Sequence, residues 1–146
     1  YKRYLGFRMA LEQMGVPCDE SLVIQKDYTV MEGREAAARL VSMNDRPTAI
    51  VCGNDLLAMG AMAAAKEAGL TVGKDLSITG FDDLEMSSIL SPPLTTVRIP
   101  ACQMGRKATE LLLDTIEKRT HTAQQYLLET DLIIRGSTGP PPVRTK

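Results

Sequence analysis

The sequence predicts an α/β fold, a parallel sheet flanked by helices. Three observations carry that prediction. Short β-rich runs alternate with helical patterns of ten or more residues, as βαβ units require. The 146 residues are 44 % apolar, which suits one domain with a real core and excludes a disordered chain. Three strand candidates each end in an acid or an amide, and ligands of open parallel sheets bind outside such strand ends.

The elements follow in order. Arg3 to Met14 reads as a helix, with Leu5, Met9 and Leu11 at helical spacing and Gly15 as its stop. Leu22 to Gln25 is expected to be a short strand ending at Lys26-Asp27. Val30 to Met43 is a helix with Ala37, Leu40 and Val41 on its inner face. Pro47 introduces a strand from Thr48 to Cys52, and Asn54 or Asp55 caps a helix that runs to Ala68 and ends at Gly69. Leu76 to Thr79 is the next strand, closed by Gly80-Phe81-Asp82-Asp83. Beyond two adjacent prolines lies the strand Thr95 to Ile99, and Pro100 suits the first turn of another helix. In that helix Met104, Ala108, Leu111, Leu112 and Ile116 recur at helical spacing, with Lys118-Arg119 at its negative end. Tyr126 to Leu128 and Leu132 to Ile134 are expected as short strands, and residues 138–146 as a flexible, proline-rich tail.

Composition removes several function classes. Seventeen Lys plus Arg oppose eighteen Asp plus Glu for a formal charge of −1, without the basic surplus of a domain that grips phosphates. No stretch approaches the roughly 20 apolar residues that cross a bilayer. The N-terminal YKRYLGFRMALEQMG places an amphipathic pattern where a signal peptide has an apolar region. Lacking an initiator Met, the chain reads as a piece of a longer one. Cys18, Cys52 and Cys102 are odd in number and widely spaced, so free thiols in a reducing compartment are expected. A lone His121 in a polar loop leaves little for zinc, and no metal or cofactor is expected.

Chemistry concentrates at the strand tips: Asp27, Asn54-Asp55 and Asp82-Asp83. Carboxylates and a carboxamide gathered there suit hydrogen bonds to a polyhydroxyl ligand. An Asp or Asn after a strand is also a common helix cap, the reading favoured for Asp55. Asp82 stands open between cap and ligand, because the next helical pattern is delayed and capping needs no second acid. Tyr28 suits either stacking on a ligand or covering a loop. Arg3 suits either an ion pair or a solvated chain start. No nucleophile elbow, phosphate loop, dinucleotide fingerprint or zinc-protease motif occurs, so an enzyme is not expected. A phosphoryl-acceptor receiver domain would need a lysine after a late strand, and none is evident.

The helix from Leu56 to Ala65 poses a separate problem, because it offers water almost nothing. A helix covering a sheet needs only one apolar stripe. Its other side is covered either by the same chain or by a second subunit.

The ordered set RYLGF…AL at Arg3 to Leu11, CGNDLLAMGAM at Cys52, LSITGFDD at Leu76, PPLTTVRIP at Pro92 and LIIRGST at Leu132 resembles the LacI/GalR family of transcription regulators. The likeness is to the C-terminal half of their effector-binding region and covers residues 1–138. It implies one lobe of a periplasmic-binding-protein-like fold in residues 1–94. Residues 95–121 would be a crossover strand and helix of the other lobe, and residues 122–137 return strands. It also implies that Arg3 and Asp82 hold polar groups of an effector, with Asn54, Tyr28 and Ile99 lining the pocket. Leu56, Met59, Met62, Met86 and Leu90 would form a dimer interface, the second-subunit answer for the apolar helix. The expected partners are a small effector (a sugar, sugar acid or purine), a second copy, and operator DNA reached through a headpiece outside this chain. Action in the cytoplasm and weak effector affinity of this piece alone follow from the same likeness. The alternative is a periplasmic sugar-binding protein of similar fold, against which the free cysteines and the Asp82-Asp83 and Pro-Pro-Leu-Thr-Thr patterns stand.

Overall fold

A computed structural model describes residues 2–118 and 125–143 of the chain. Helix α1, Lys2–Gln13, stops at Gly15, whose φ of +68° suits a residue without Cβ. None of its side chains is buried. Tyr4 ties it to the following loop by donating to the Glu20 carboxylate at 2.8 Å. A 3-10 turn, Glu20–Leu22, is capped by Asp19, which accepts from the amide (2.9 Å) and hydroxyl (2.7 Å) of Ser21.

The strand expected over Leu22 to Gln25 does not form. Val23 is extended (φ −92°, ψ 115°) and Leu22 and Ile24 turn half-inward, but no described strand lies alongside. An extended segment becomes a strand only when a neighbour takes its backbone hydrogen bonds. Tyr126 to Leu128 is not a strand either, and the following strand falls one residue earlier than expected.

Helix α2, Val30–Val41, starts where Thr29 accepts from the Glu32 amide at 3.2 Å, and it buries Gly33, Ala37 and Leu40. Strand β1 is Ala49–Val51, α3 is Asp55–Glu67, and β2 is Ser77–Asp82. Strand β3 is Thr95–Arg98, α4 is Ala101–Lys118, and β4 is Asp131–Ile133. The sheet runs β1-β2-β3-β4. The first three strands are parallel, as the βαβ pattern predicts, and β4 is antiparallel to β3.

The core lies between α3 and the sheet. Ala58, Ala61, Met62, Ala64 and Ala65 pack on Leu76, Ile78 and Leu94, with Ala37 of α2 joining them. Leu76, Ile78 and Leu94 are each 0 % exposed, and burial of such a side chain contributes about 1.5–3 kcal/mol. On its other side α3 lies against α2 at a distance only glycine permits. A Cβ at Gly33 would run into the Leu57 carbonyl, and one at Gly60 into the Val30 carbonyl. Most of the apolar girth of α3 is therefore consumed inside the chain. Met62, expected at a subunit interface, is a core residue 8 % exposed.

Two further expectations change. Strand β3 is hydrogen-bonded along β2, so the boundary expected at Thr95 has no counterpart in this sheet. What departs from the sheet is α4, whose Met104, Leu112, Leu113 and Ile116 are exposed. The C-terminal segment, in turn, is laced into the sheet as far as Gly139. Buried Ser137 donates to the Ile78 carbonyl (2.6 Å) and accepts from the Thr95 amide (2.8 Å), and the Gly139 amide donates to Ser77 (3.1 Å).

Candidate functional site

Arg3, Tyr28 and Asp82, 79 positions apart at the extremes, meet at the carboxyl ends of β1 and β2. Arg3 extends from the first turn of α1. One of its Nη atoms donates to the Gly53 carbonyl and the other to Asp82 Oδ1 at 3.1 Å. Its guanidinium carbon lies 3.9 Å from the centre of the Phe81 ring and 5.8 Å from that of Tyr28. The Tyr28 ring in turn occupies the space beside Gly53. A Cβ there would stand 3.1 Å from Tyr28 Cε1. Gly53 thus admits the aromatic wall.

Asn54 is the cap of α3. Its Oδ1 accepts from the Leu57 amide at 2.9 Å, which fixes the carboxamide one residue from Gly53. Capping and a place on the rim therefore fall to the same side chain. Ile99 is half-buried, one residue beyond Arg98, the register partner of Asp82.

Asp55 does something else. It is not the cap but a fully buried brace. Its Oδ1 accepts from the Thr96 hydroxyl (2.6 Å), and its Oδ2 from the Ser87 hydroxyl (2.6 Å) and the Leu84 amide (2.8 Å). A carboxylate at a helix N-terminus gains from the dipole, and three donors satisfy its buried charge. It ties α3 to β3 and to the loop that carries the acidic pair.

The two acids of that pair divide the work. Asp83 is structural, gripped by Arg135 Nη2 (2.7 Å) and Arg98 Nε (2.7 Å). Burial alone would raise its carboxyl, but hydrogen bonds from Arg135 and then Arg98 outweigh that and hold it below the usual range. Asp82 faces Arg3. Burial pushes its carboxyl up, Arg3 pulls it back, and the charge of Asp55 adds to the rise. Both acids have positive φ, 112° at Asp82 and 53° at Asp83. Such backbone costs of order 1–3 kcal/mol and persists where surrounding contacts over-determine it, as Arg3, Arg98 and Arg135 do here.

The rim offers a guanidinium, a carboxylate, a carboxamide and two aromatic faces. That set recognises polar, ring-shaped molecules by hydrogen bonds and stacking. Among the described residues no cluster of His, Cys, Asp or Glu could hold a metal, and His121 lies outside them. Nothing local in the sequence marks Phe81, Asp55, Arg98 or Arg135 for these roles, because their partners lie 15 to 78 residues away. Of the proposed interface set, Met86 is exposed and Leu56, Met59 and Leu90 are half-buried.

Residues 1–138 match the family model of the periplasmic binding protein-like domain. Over 136 residues the chain is 38 % identical to the HTH-type transcriptional repressor CytR of Escherichia coli strain K12, spanning 93 % of this chain and 40 % of CytR. The fold superposes on the transcriptional regulator CelR in complex with cellobiose at a TM-score of 0.88 and 32 % identity. That match covers 92 % of this chain and 41 % of CelR. It also superposes on the lac repressor dimer bound to operator and the anti-inducer ONPF, at 0.83 and 31 %, over 94 % of this chain and 47 % of that one. The chain thus spans about two fifths of the curated repressor it matches.

Proposed function

Because the chain belongs to the family of periplasmic binding protein-like domains, in the form carried by LacI-type regulators, we propose that it is the effector-sensing and dimerisation part of a transcription regulator. One observation carries the reading. Arg3, Tyr28 and Asp82, from three separate segments, converge beside Gly53 and Asn54 on one rim. With Ile99 they form one wall of the effector pocket, and the facing wall belongs to a second lobe. Helix α4 belongs to that lobe, which covers its exposed apolar stripe.

The effector is a small polar molecule, a sugar or sugar acid before a purine. Cellobiose in the CelR complex supports the class, and the rim chemistry suits it. Arg3 supplies donors in a fixed fork, Asp82 accepts from hydroxyls, and Tyr28 stacks on a ring face. An effector that binds one closure of the lobes better than the other shifts their equilibrium by its difference in affinity. Closure then alters the spacing of two DNA-reading headpieces held by a dimer, which Leu56, Met59, Met86 and Leu90 join across the half-buried flank of α3. The lac repressor dimer bound to operator supports that arrangement, and a protein so employed acts in the cytoplasm.

A thermal-shift screen of ribose, cellobiose, gluconate and guanine on the intact regulator tests the reading, because binding to the native state raises Tm. The variant D82A should lose the shift while melting normally without additive. A shift as large in D82A as in wild type would remove Asp82 from the site.

A further inference from the structure

In a regular strand successive side chains leave on opposite faces. Phe81 and Asp82, adjacent in β2, nevertheless meet the same guanidinium: the ring centre lies 3.9 Å from Arg3 Cζ and Asp82 Oδ1 lies 3.1 Å from Nη2. Asp82, the last residue of β2, carries a φ of 112°, outside the backbone range of a regular strand. Arg3 needs such a shelf. It projects from a helix with no buried side chain, so packing of α1 does not by itself fix where the guanidinium points. The Gly53 carbonyl and Asp82 accept from its two Nη atoms, the Phe81 ring centre lies 3.9 Å from its Cζ, and that of Tyr28 stands farther off at 5.8 Å.

We propose that Phe81 is a positioning residue for effector recognition. Its ring face, rather than its apolar bulk, locks the Arg3 guanidinium in the plane from which it meets an effector. The proposal rests on the sensor reading for what the locked arginine is used for, but the lock itself can be tested separately.

The first arm measures phenylglyoxal modification of individual arginines by mass spectrometry on the intact regulator. Loss of a cation–π contact worth about 0.5–2 kcal/mol should speed modification of Arg3 about 2- to 30-fold in F81L. F81Y and F81W, which keep a ring face, should modify at the wild-type rate. Arg98 and Arg135, which hold Asp83, serve as internal controls that the loop is intact and should not change. Wild-type protection of Arg3 in F81L, or equal loss in F81Y and F81L, overturns the proposal. The second arm records thermal shifts with ribose and cellobiose for wild type, R3A and D82A. If F81L frees Arg3 while R3A and D82A keep wild-type shifts, the lock stands and the sensor reading falls. If R3A and D82A lose their shifts while F81L leaves Arg3 protected, the reading stands and Phe81 has no part in it.

Discussion

Asp55→Asn isolates the buried brace beneath the acidic loop. The substitution keeps the shape of the side chain but removes its charge and turns one acceptor into a donor. The Leu84 amide, 2.8 Å away, cannot reverse its role, so the carboxamide must keep its oxygen toward Leu84 and Ser87. The Thr96 hydroxyl must then rotate to accept. A hydrogen bond to a charged group contributes about 1.5–3 kcal/mol against about 0.5–1.5 for a neutral one, so three weakened bonds cost about 3 kcal/mol. Asp55→Ala strands all three buried donors and costs more, about 5 kcal/mol. With a urea slope of about 1–3 kcal/mol per molar, Asp55→Asn should lower the unfolding midpoint by roughly 1–3 M at unchanged slope. A midpoint within about 0.3 M of wild type, read by circular dichroism, would show that the three donors do not depend on this carboxylate.

Three further outcomes follow from the same contacts. Asp83 is held below the ordinary carboxylate range, so its stabilisation is complete above the unfolded aspartate value and is lost as pH falls through the lower folded one. Urea midpoints taken from neutral pH into acid should converge for wild type and D83N, whereas a constant gap would deny the ion pairs; Asp82, pushed upward, carries the opposite sign and is least favourable when ionised. Burial pushes the Cys52 thiol up to about 12 while Cys102 is exposed, so iodoacetamide at mild alkaline pH should label Cys102 first by mass spectrometry, and equal labelling would contradict the burial. Met59→Glu should convert the proposed dimer to monomers in sedimentation with the fold intact, and a variant that stays dimeric would move the interface elsewhere.

Periodicity and turn residues made the βαβ order, the four helices and the strands β1 to β3 legible, because those signals are local. Gly15, Gly69, Asn54 and Thr29 end or start helices by chemistry confined to a few residues. What failed was pairing. Leu22 to Gln25 has strand composition, but a ladder depends on a neighbour that composition cannot supply. The same limit hid the brace at Asp55, which reads as a cap until Ser87 and Thr96, 32 and 41 residues on, are folded against it. Met62 and the small residues of α3 suggested an intersubunit face, yet Gly33 lets α2 settle onto α3 from within the chain. At the rim, residue types at strand tips pointed to Asp82, Asn54 and Tyr28. The family resemblance added Arg3 to them, whereas the Phe81 ring against its guanidinium required coordinates.

The most direct test of the sensor account is to map where a bound effector sits. With whichever of ribose, cellobiose, gluconate or guanine raises Tm, hydrogen–deuterium exchange of the intact regulator should slow around Arg3, Tyr28, Gly53-Asn54 and Asp82. Protection confined instead to the outer face of α2, around Met31 and Arg39, would contradict it.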